Sequence, residues 1–215
     1  MKVYYFTSEK YGLDNLTKSR LKISRINSLN DPYEFYVNLE DRNGPISESY
    51  LEGLKKHNHS LLGMVCFNKN WGHPVHWSHY GDSHKGICLC FEIDKKYLIK
   101  IKYRKHPLVV TPEKFELNFP ESTTSKYRAW KYEKEHRLHI DLSKTEGYVE
   151  ECVDGVDLQF VNFSDVLKLK KVILGCKSTL SEDDIMNIKE QYADIEVVTT
   201  KQSRLYYRIT EDKVY

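Results

Sequence analysis

Apolar positions along the chain come in short runs set between polar and turn-forming clusters. They alternate, or stay continuous, more often than they repeat at a helical period. Residues 2–7 (KVYYFT) are β-branched and aromatic and predict a first strand. Residues 13–19 suit a short helix with Asp14 near its start, and Leu21-Lys22-Ile23-Ser24 alternates as a half-buried strand should. Asn27-Ser28-Leu29-Asn30-Asp31-Pro32 is a dense turn cluster. Residues 47–57 read as helical, with Leu51 and Leu54 three apart on one face.

The middle of the chain holds two continuous apolar runs, 61–67 (LLGMVCF) and 87–93 (ICLCFEI), each expected as a buried strand. Between them HWSHYG suits a helical turn that stops at Gly81. Residues 97–103 (YLIKIKY) alternate, and 107–125 carry Pro107, Pro112 and Pro120 with little periodicity. Residues 128–140 begin with aromatics and become strand-like at Arg137-Leu138-His139-Ile140. Further on, Val172-Ile173-Leu174-Gly175 predicts a strand ending at glycine. Ser181 then caps a helix whose first turn is acidic and whose Ile185, Ile188 and Tyr192 share a face. Residues 195–199 and 204–209 (RLYYRI) are read as closing strands. Strands outnumber helices without β-α alternation, and no linker or repeat interrupts them. The expected class is α+β in a single domain over 1–215, with split, mostly antiparallel sheets and short flanking helices.

Composition narrows the function. At 40% hydrophobic and 30% charged over 215 residues, the chain is too apolar for disorder, and it lacks the long apolar run of a membrane helix. The formal charge of +2 is close to balance, whereas a dedicated nucleic-acid binder is usually more basic. No secretion-like leader opens the sequence, and the five cysteines form no disulfide framework. Reduced thiols, several buried in strands, and a cytoplasmic location without membrane association are the expectation.

The chain is rich in tyrosine (16) and holds nine histidines, and three short stations concentrate polar and aromatic residues. The first is Tyr4-Tyr5-Phe6-Thr7-Ser8, with Asn30-Asp31-Pro32-Tyr33-Glu34 downstream. The second runs from Trp77-Ser78-His79-Tyr80 to His84-Lys85-Gly86. The third is Trp130-Lys131-Tyr132-Glu133-Lys134-Glu135-His136-Arg137. Strand alternation there would align Glu133, Glu135, Arg137 and His139 and point Leu138 and Ile140 into the core. Such a row is either a solvated face or a carboxylate site walled by Trp130 and Tyr132.

His73, His76, His79 and His84 invite a metal reading, in which Asp31 and Glu34 would join His76, His79 and His84 in a nuclease or phosphoesterase centre. The spacing reproduces no known ligand motif, so no metal is expected. Residues 95–105 carry Lys95, Lys96, Lys100, Lys102, Arg104 and Lys105 with Tyr97 and Tyr103 interleaved and no acid among them. That strand could follow a phosphate backbone, or be an ordinary strand with one basic face. No glycine-rich phosphate loop and no Gly-x-Ser-x-Gly elbow is present.

Together the stations resemble a bacterial domain family of unknown function. Its Asn-Asp-Pro-x-Glu segment reads here Asn30-Asp31-Pro32-Tyr33-Glu34. Its Trp-Ser-His-Tyr-x-x-x-His-x-Gly-x-Cys segment reads Trp77-Ser78-His79-Tyr80 through His84-Lys85-Gly86-Ile87-Cys88. Its Tyr-Glu-x-Glu-x-Arg segment reads Tyr132-Glu133-Lys134-Glu135-His136-Arg137, with His136 where tryptophan is usual. The order of stations is in turn distantly similar to the split-sheet ADP-ribosyltransferase fold. That resemblance implies an NAD-using ADP-ribosyltransferase or NAD glycohydrolase, a toxin or phage-defence effector acting on a macromolecular acceptor. Glu135 would be the catalytic carboxylate and Tyr80 the nicotinamide-stacking ring. Tyr5 stands in place of the usual histidine, and Thr7, Ser78, His79 and Arg137 join it in holding NAD. The alternative is a non-catalytic module of the same fold that binds a nucleotide, or a nucleic acid through residues 95–105.

Overall fold

The computed structural model describes residues 1–39, 53, 56, 60–110, 119–144, 148–153 and 155–215. The helix expected over 47–57 lies, but for Gly53 and Lys56, outside them, as does Pro112. The chain forms two compact units, each discontinuous in sequence. The first comprises Met1–Lys22, Phe67–Lys96 and Phe160–Tyr215; the second comprises Ile23–Cys66 and Tyr97–Gln159. Both are strand-rich with short helices, the α+β class expected, and no described helix is long and apolar enough to cross a membrane.

The first unit is built on a five-stranded sheet in the order Lys2–Thr7, Ile87–Glu92, Lys168–Leu174, Glu196–Gln202, Ile209–Val214. Its neighbours are antiparallel except Lys168–Leu174 with Glu196–Gln202, which run parallel. A parallel pair needs a crossover, and the helix Glu182–Gln191 supplies it. Ser181 caps that helix in a capping box with Asp184, and Ile185 and Ile188 are buried as the periodicity predicts. The Ile87–Glu92 strand lies between two neighbours, so Ile87, Cys88, Leu89, Cys90 and Phe91 are all buried. The cysteines are free.

The first helix spans Glu9–Thr17, earlier than 13–19, because Ser8 is its N-cap. Its open carbonyl end is closed from a distance. The Tyr192 hydroxyl donates to the Leu16 carbonyl at 2.6 Å, and the Gln191 amide donates to Leu16 and Thr17. The strand expected over 204–209 begins only at Ile209. Ser203 Oγ accepts from the amides of Leu205 and Tyr206 and folds the chain into a turn instead.

In the second unit a four-stranded sheet runs Ser24–Arg25, Leu62–Phe67, His136–Asp141, Leu98–Lys100. Ser125–Tyr127 pairs in parallel with Lys102–Arg104, and Val37–Leu39 with Leu108–Val110. The single strand expected over 97–103 is therefore two, divided at buried Ile101, whose amide donates to the Glu135 carbonyl.

Candidate functional site

The second unit contains a cleft of about 380 Å³. Small-molecule sites fall in the range of roughly 300–1,000 Å³. Its aromatic lining is Tyr33, Tyr36 and Tyr127, which are 62%, 49% and 48% exposed. Tyr33 and Tyr36 meet edge-on with ring centroids 5.9 Å apart, giving the cleft an aromatic wall. Arg104, Lys105 and His106 form its basic lining, Ser125 and Lys126 border it, and Pro107 and Leu108 complete an apolar edge.

Local chain geometry explains the arrangement. Asp31 Oδ1 accepts from the Tyr33 amide at 2.9 Å, and the Glu34 amide donates to the Asp31 carbonyl, so Asp31-Pro32 starts a tight turn. Phe35 follows in the left-handed region at φ 58°. The turn sends Tyr33 and Tyr36 outward and Glu34 and Phe35 inward. On the Ser125–Tyr127 strand, alternation likewise turns Lys126 in and Tyr127 out.

Beneath the cleft lies a buried ion cluster. Arg137 is fully buried; its Nε donates to Glu135 Oε1 at 2.7 Å, its Nη2 to Glu34 Oε1 at 2.7 Å, and its Nη1 to the Thr123 carbonyl at 3.0 Å. Lys126 Nζ contacts Glu133 at 2.8 Å, Glu135 at 3.1 Å and Glu34 at 3.4 Å, and lies 4.9 Å over the Trp130 ring. Three carboxylates thus face two cations. Burial alone would raise the Glu135 pKa, but Arg137 and Lys126 overcome it and hold it at about 2. The same three carboxylates raise Lys126 against the opposing pull of burial. His139 goes the other way, down to about 4, through burial and then the Arg137 charge.

The third station is therefore not a solvated face. Leu138 and Ile140 are buried as expected, but so are Glu133, Glu135 and Arg137. Glu133 joins through Lys126 rather than by strand alternation, because it ends the 3-10 helix Arg128–Glu133 and Lys134 turns left-handed before the strand begins at His136.

The stations are regrouped by the fold. Asn30–Glu34 belongs with the third station in the second unit, while Tyr4–Ser8 and the second station belong to the first. Glu135 and Arg137 lie in one unit, and Tyr5, Thr7, Ser78, His79 and Tyr80 in the other. Tyr5 meets the Phe67 ring edge-on at 6.3 Å. Thr7 ends the first strand, and its carbonyl oxygen approaches Gly86 so closely that a Cβ there would clash with it. Tyr80 is half-buried against the core of Phe6, Trp77, Cys88, Ile173 and Ile209. Ser78 and His79 are exposed.

Of the other histidines, His73 caps the Pro74–His79 helix and His76 Nδ1 is 2.9 Å from the Asn70 carbonyl oxygen. The basic segment divides between the units at Lys96 and Tyr97. It also has acidic partners that the sequence window excluded: Asp94 for Lys96, and Glu121 for Lys102 and Arg104.

Lys126 carried no sequence signal, being one lysine in an aperiodic stretch. Tyr33 was singled out only as part of the Asn30–Glu34 station, and Tyr36 and Tyr127 were not singled out at all. Comparison with protein-family models, curated proteins and solved structures finds no match for this chain.

Proposed function

We propose that the protein binds a nucleotide in the cleft of its second unit. The observation that carries this reading is the pairing of three exposed tyrosine rings with Arg104, Lys105 and His106 around one cavity of about 380 Å³. A base stacks on aromatic faces, and phosphates are drawn to cationic side chains. A cavity of this size suits one nucleotide or dinucleotide better than a length of nucleic acid. Arg104 is already paired with Glu121 at 2.6 Å, which leaves exposed Lys105 as the more available phosphate contact.

An NAD-cleaving ADP-ribosyltransferase, acting in the cytoplasm on a macromolecular acceptor, is the second reading. It is favoured by the division into separate sheets, one carrying Tyr5 and Thr7 and the other Arg137, with Glu135 immediately before that strand. The chemistry asks for a carboxylate facing an oxocarbenium-like state. Glu135 is 3% exposed and ion-paired through both oxygens, an arrangement that favours binding over glycosyl transfer.

Thermal melts with ATP, ADP-ribose, NAD and uncharged adenosine test both. A nucleotide at about ten times its dissociation constant adds about 1.4 kcal/mol, or roughly 3–6 °C for a chain of this size. The phosphorylated ligands should give this shift, and Lys105→Glu and Tyr127→Ala should reduce it. No shift with any of them would reject the cleft as a nucleotide site.

A further inference from the structure

In the first unit, three side chains with nucleophile chemistry line up through one imidazole. Ser78 Oγ lies 3.1 Å from His84 Nε2, and Cys176 Sγ lies 3.9 Å from His84 Nδ1. Ser78 Oγ is also 3.3 Å from the Pro74 carbonyl oxygen, which can only accept. All three contacts are hydrogen bonds when the Ser78 proton goes to Pro74, Nε2–H donates to Ser78, and the thiol S–H points at the Nδ1 lone pair. That tautomer is assigned from the network.

The backbone is strained to hold this line. Asp82, Ser83 and His84 are all left-handed, at φ 46°, 53° and 75°. Each non-glycine residue there costs about 1–2 kcal/mol. The Lys177 amide donates to the His84 carbonyl at 3.0 Å, and the Gly175 amide donates to that of Gly86 at 2.9 Å. A Cβ on Gly175 would stand 2.2 Å from the His84 oxygen, so only glycine lets the segment bearing Cys176 come this close. Strain of this kind persists where surrounding structure over-determines it.

We propose that Cys176 is a nucleophile for acyl transfer, with His84 as its general base and Ser78 as the residue that orients the imidazole. The thiol proton passes to Nδ1 as sulfur bonds to the carbonyl carbon of an ester or thioester. The bond from that carbon to the leaving group then breaks, and the leaving group takes the proton back from His84. Water, deprotonated by the same imidazole, attacks the resulting thioester, releases the carboxylic acid and restores the thiol. Burial, and then the charge of Lys177, lower the His84 pKa, which keeps the ring in the neutral form a base needs. The site is independent of the nucleotide cleft.

The test is acetylation of the full chain by p-nitrophenyl acetate, read cysteine by cysteine by mass spectrometry, with exposed Cys152 as internal reference. General-base help is worth about 10²–10⁴-fold in well-formed sites, so Cys176 should react at least about tenfold faster than Cys152. His84→Asn removes the base while keeping a residue that tolerates left-handed backbone, and should bring Cys176 to the Cys152 rate or below with the melt unchanged. Ser78→Ala should lower the ratio and Ser78→Thr restore it, a rescue that a packing role would not give. Cys176 reacting no faster than Cys152 overturns the proposal. So does a ratio unchanged in folded His84→Asn. If that variant does not fold, the wild-type ratio and the loss of the fast phase in Cys176→Ser decide.

Discussion

Lys126 Nζ lies 3.4 Å from Glu34 Oε1, and that contact ties together the two segments that carry the tyrosines of the cleft. Tyr33 and Tyr36 flank the Glu34-Phe35 pair, and Tyr127 follows Lys126. Arg137 grips the same Glu34 oxygen at 2.7 Å, which fixes the turn to the His136–Asp141 strand. Buried ion pairs add little net stability compared with an apolar core, but breaking one is costly. The cluster therefore acts mainly on position: it holds the outward rings by anchoring their inward neighbours.

Lys126→Met leaves three carboxylates facing Arg137 alone. Removal of one partner of a buried pair costs about 3–5 kcal/mol. For a chain of this length that is a fall of roughly 10 °C in melting temperature. Glu34→Gln keeps the shape and one acceptor and should cost less, about 1–3 kcal/mol. Urea melts of the two variants check the order; Lys126→Met as stable as wild type would show that the cluster does not hold these segments in place.

His139 sets a slope at mildly acidic pH. Its folded pKa of about 4 lies below the ordinary 6.5, so between those values the unfolded chain binds more protons. Stability from this group is complete above about pH 6.5 and is lost as the pH falls towards 4. The full effect is about 3 kcal/mol as an upper bound. Chemical denaturation across this window should show the slope in wild type and a flatter one in His139→Gln.

Much of the first unit was legible in its sequence. The Ile87–Glu92 run is continuous because a central strand is buried on both faces. The Glu182–Gln191 helix announces itself through Ser181, three acids and the Ile185, Ile188 spacing. Local signals suffice there because local interactions make the element. The second unit resisted for the opposite reason. Glu34, Lys126 and Arg137 meet only through tertiary structure, and no period in the chain links a turn residue, a lone lysine and a strand arginine. The alternation that seemed to align Glu133 with Glu135 failed at a left-handed Lys134, a feature only the backbone reveals.

The RLYYR segment likewise departs from its composition. Its aromatic composition predicts a strand, yet Leu205, Tyr206 and Tyr207 are 83%, 74% and 103% exposed. Substitutions at exposed positions away from caps and networks usually stay within about 0.5 kcal/mol. Tyr207→Ser and Leu205→Ser should each leave the thermal melt unchanged within that margin. A loss of more than about 2 kcal/mol would mean these side chains are buried, as the strand reading requires.

Glu135→Gln separates binding from transfer. Its carboxylate is held at about 2 against an ordinary 4.5, so it contributes stability that is present above pH 4.5 and is lost as the pH falls towards 2. The glutamine variant gives up that contribution and the charge-assisted contacts to Arg137 and Lys126, leaving two carboxylates for two cations, a cost of about 1.5–3 kcal/mol near neutral pH. If the second unit only binds a nucleotide, the folded fraction of Glu135→Gln should bind ATP and NAD with wild-type affinity, measured below its melting temperature, because the ring and phosphate contacts lie on Tyr33, Tyr36, Tyr127 and Lys105. If the chain cleaves NAD, wild type should release nicotinamide and the variant should not, at unchanged affinity. Release of nicotinamide by wild type alone would therefore move the conclusion from binding to glycosyl transfer.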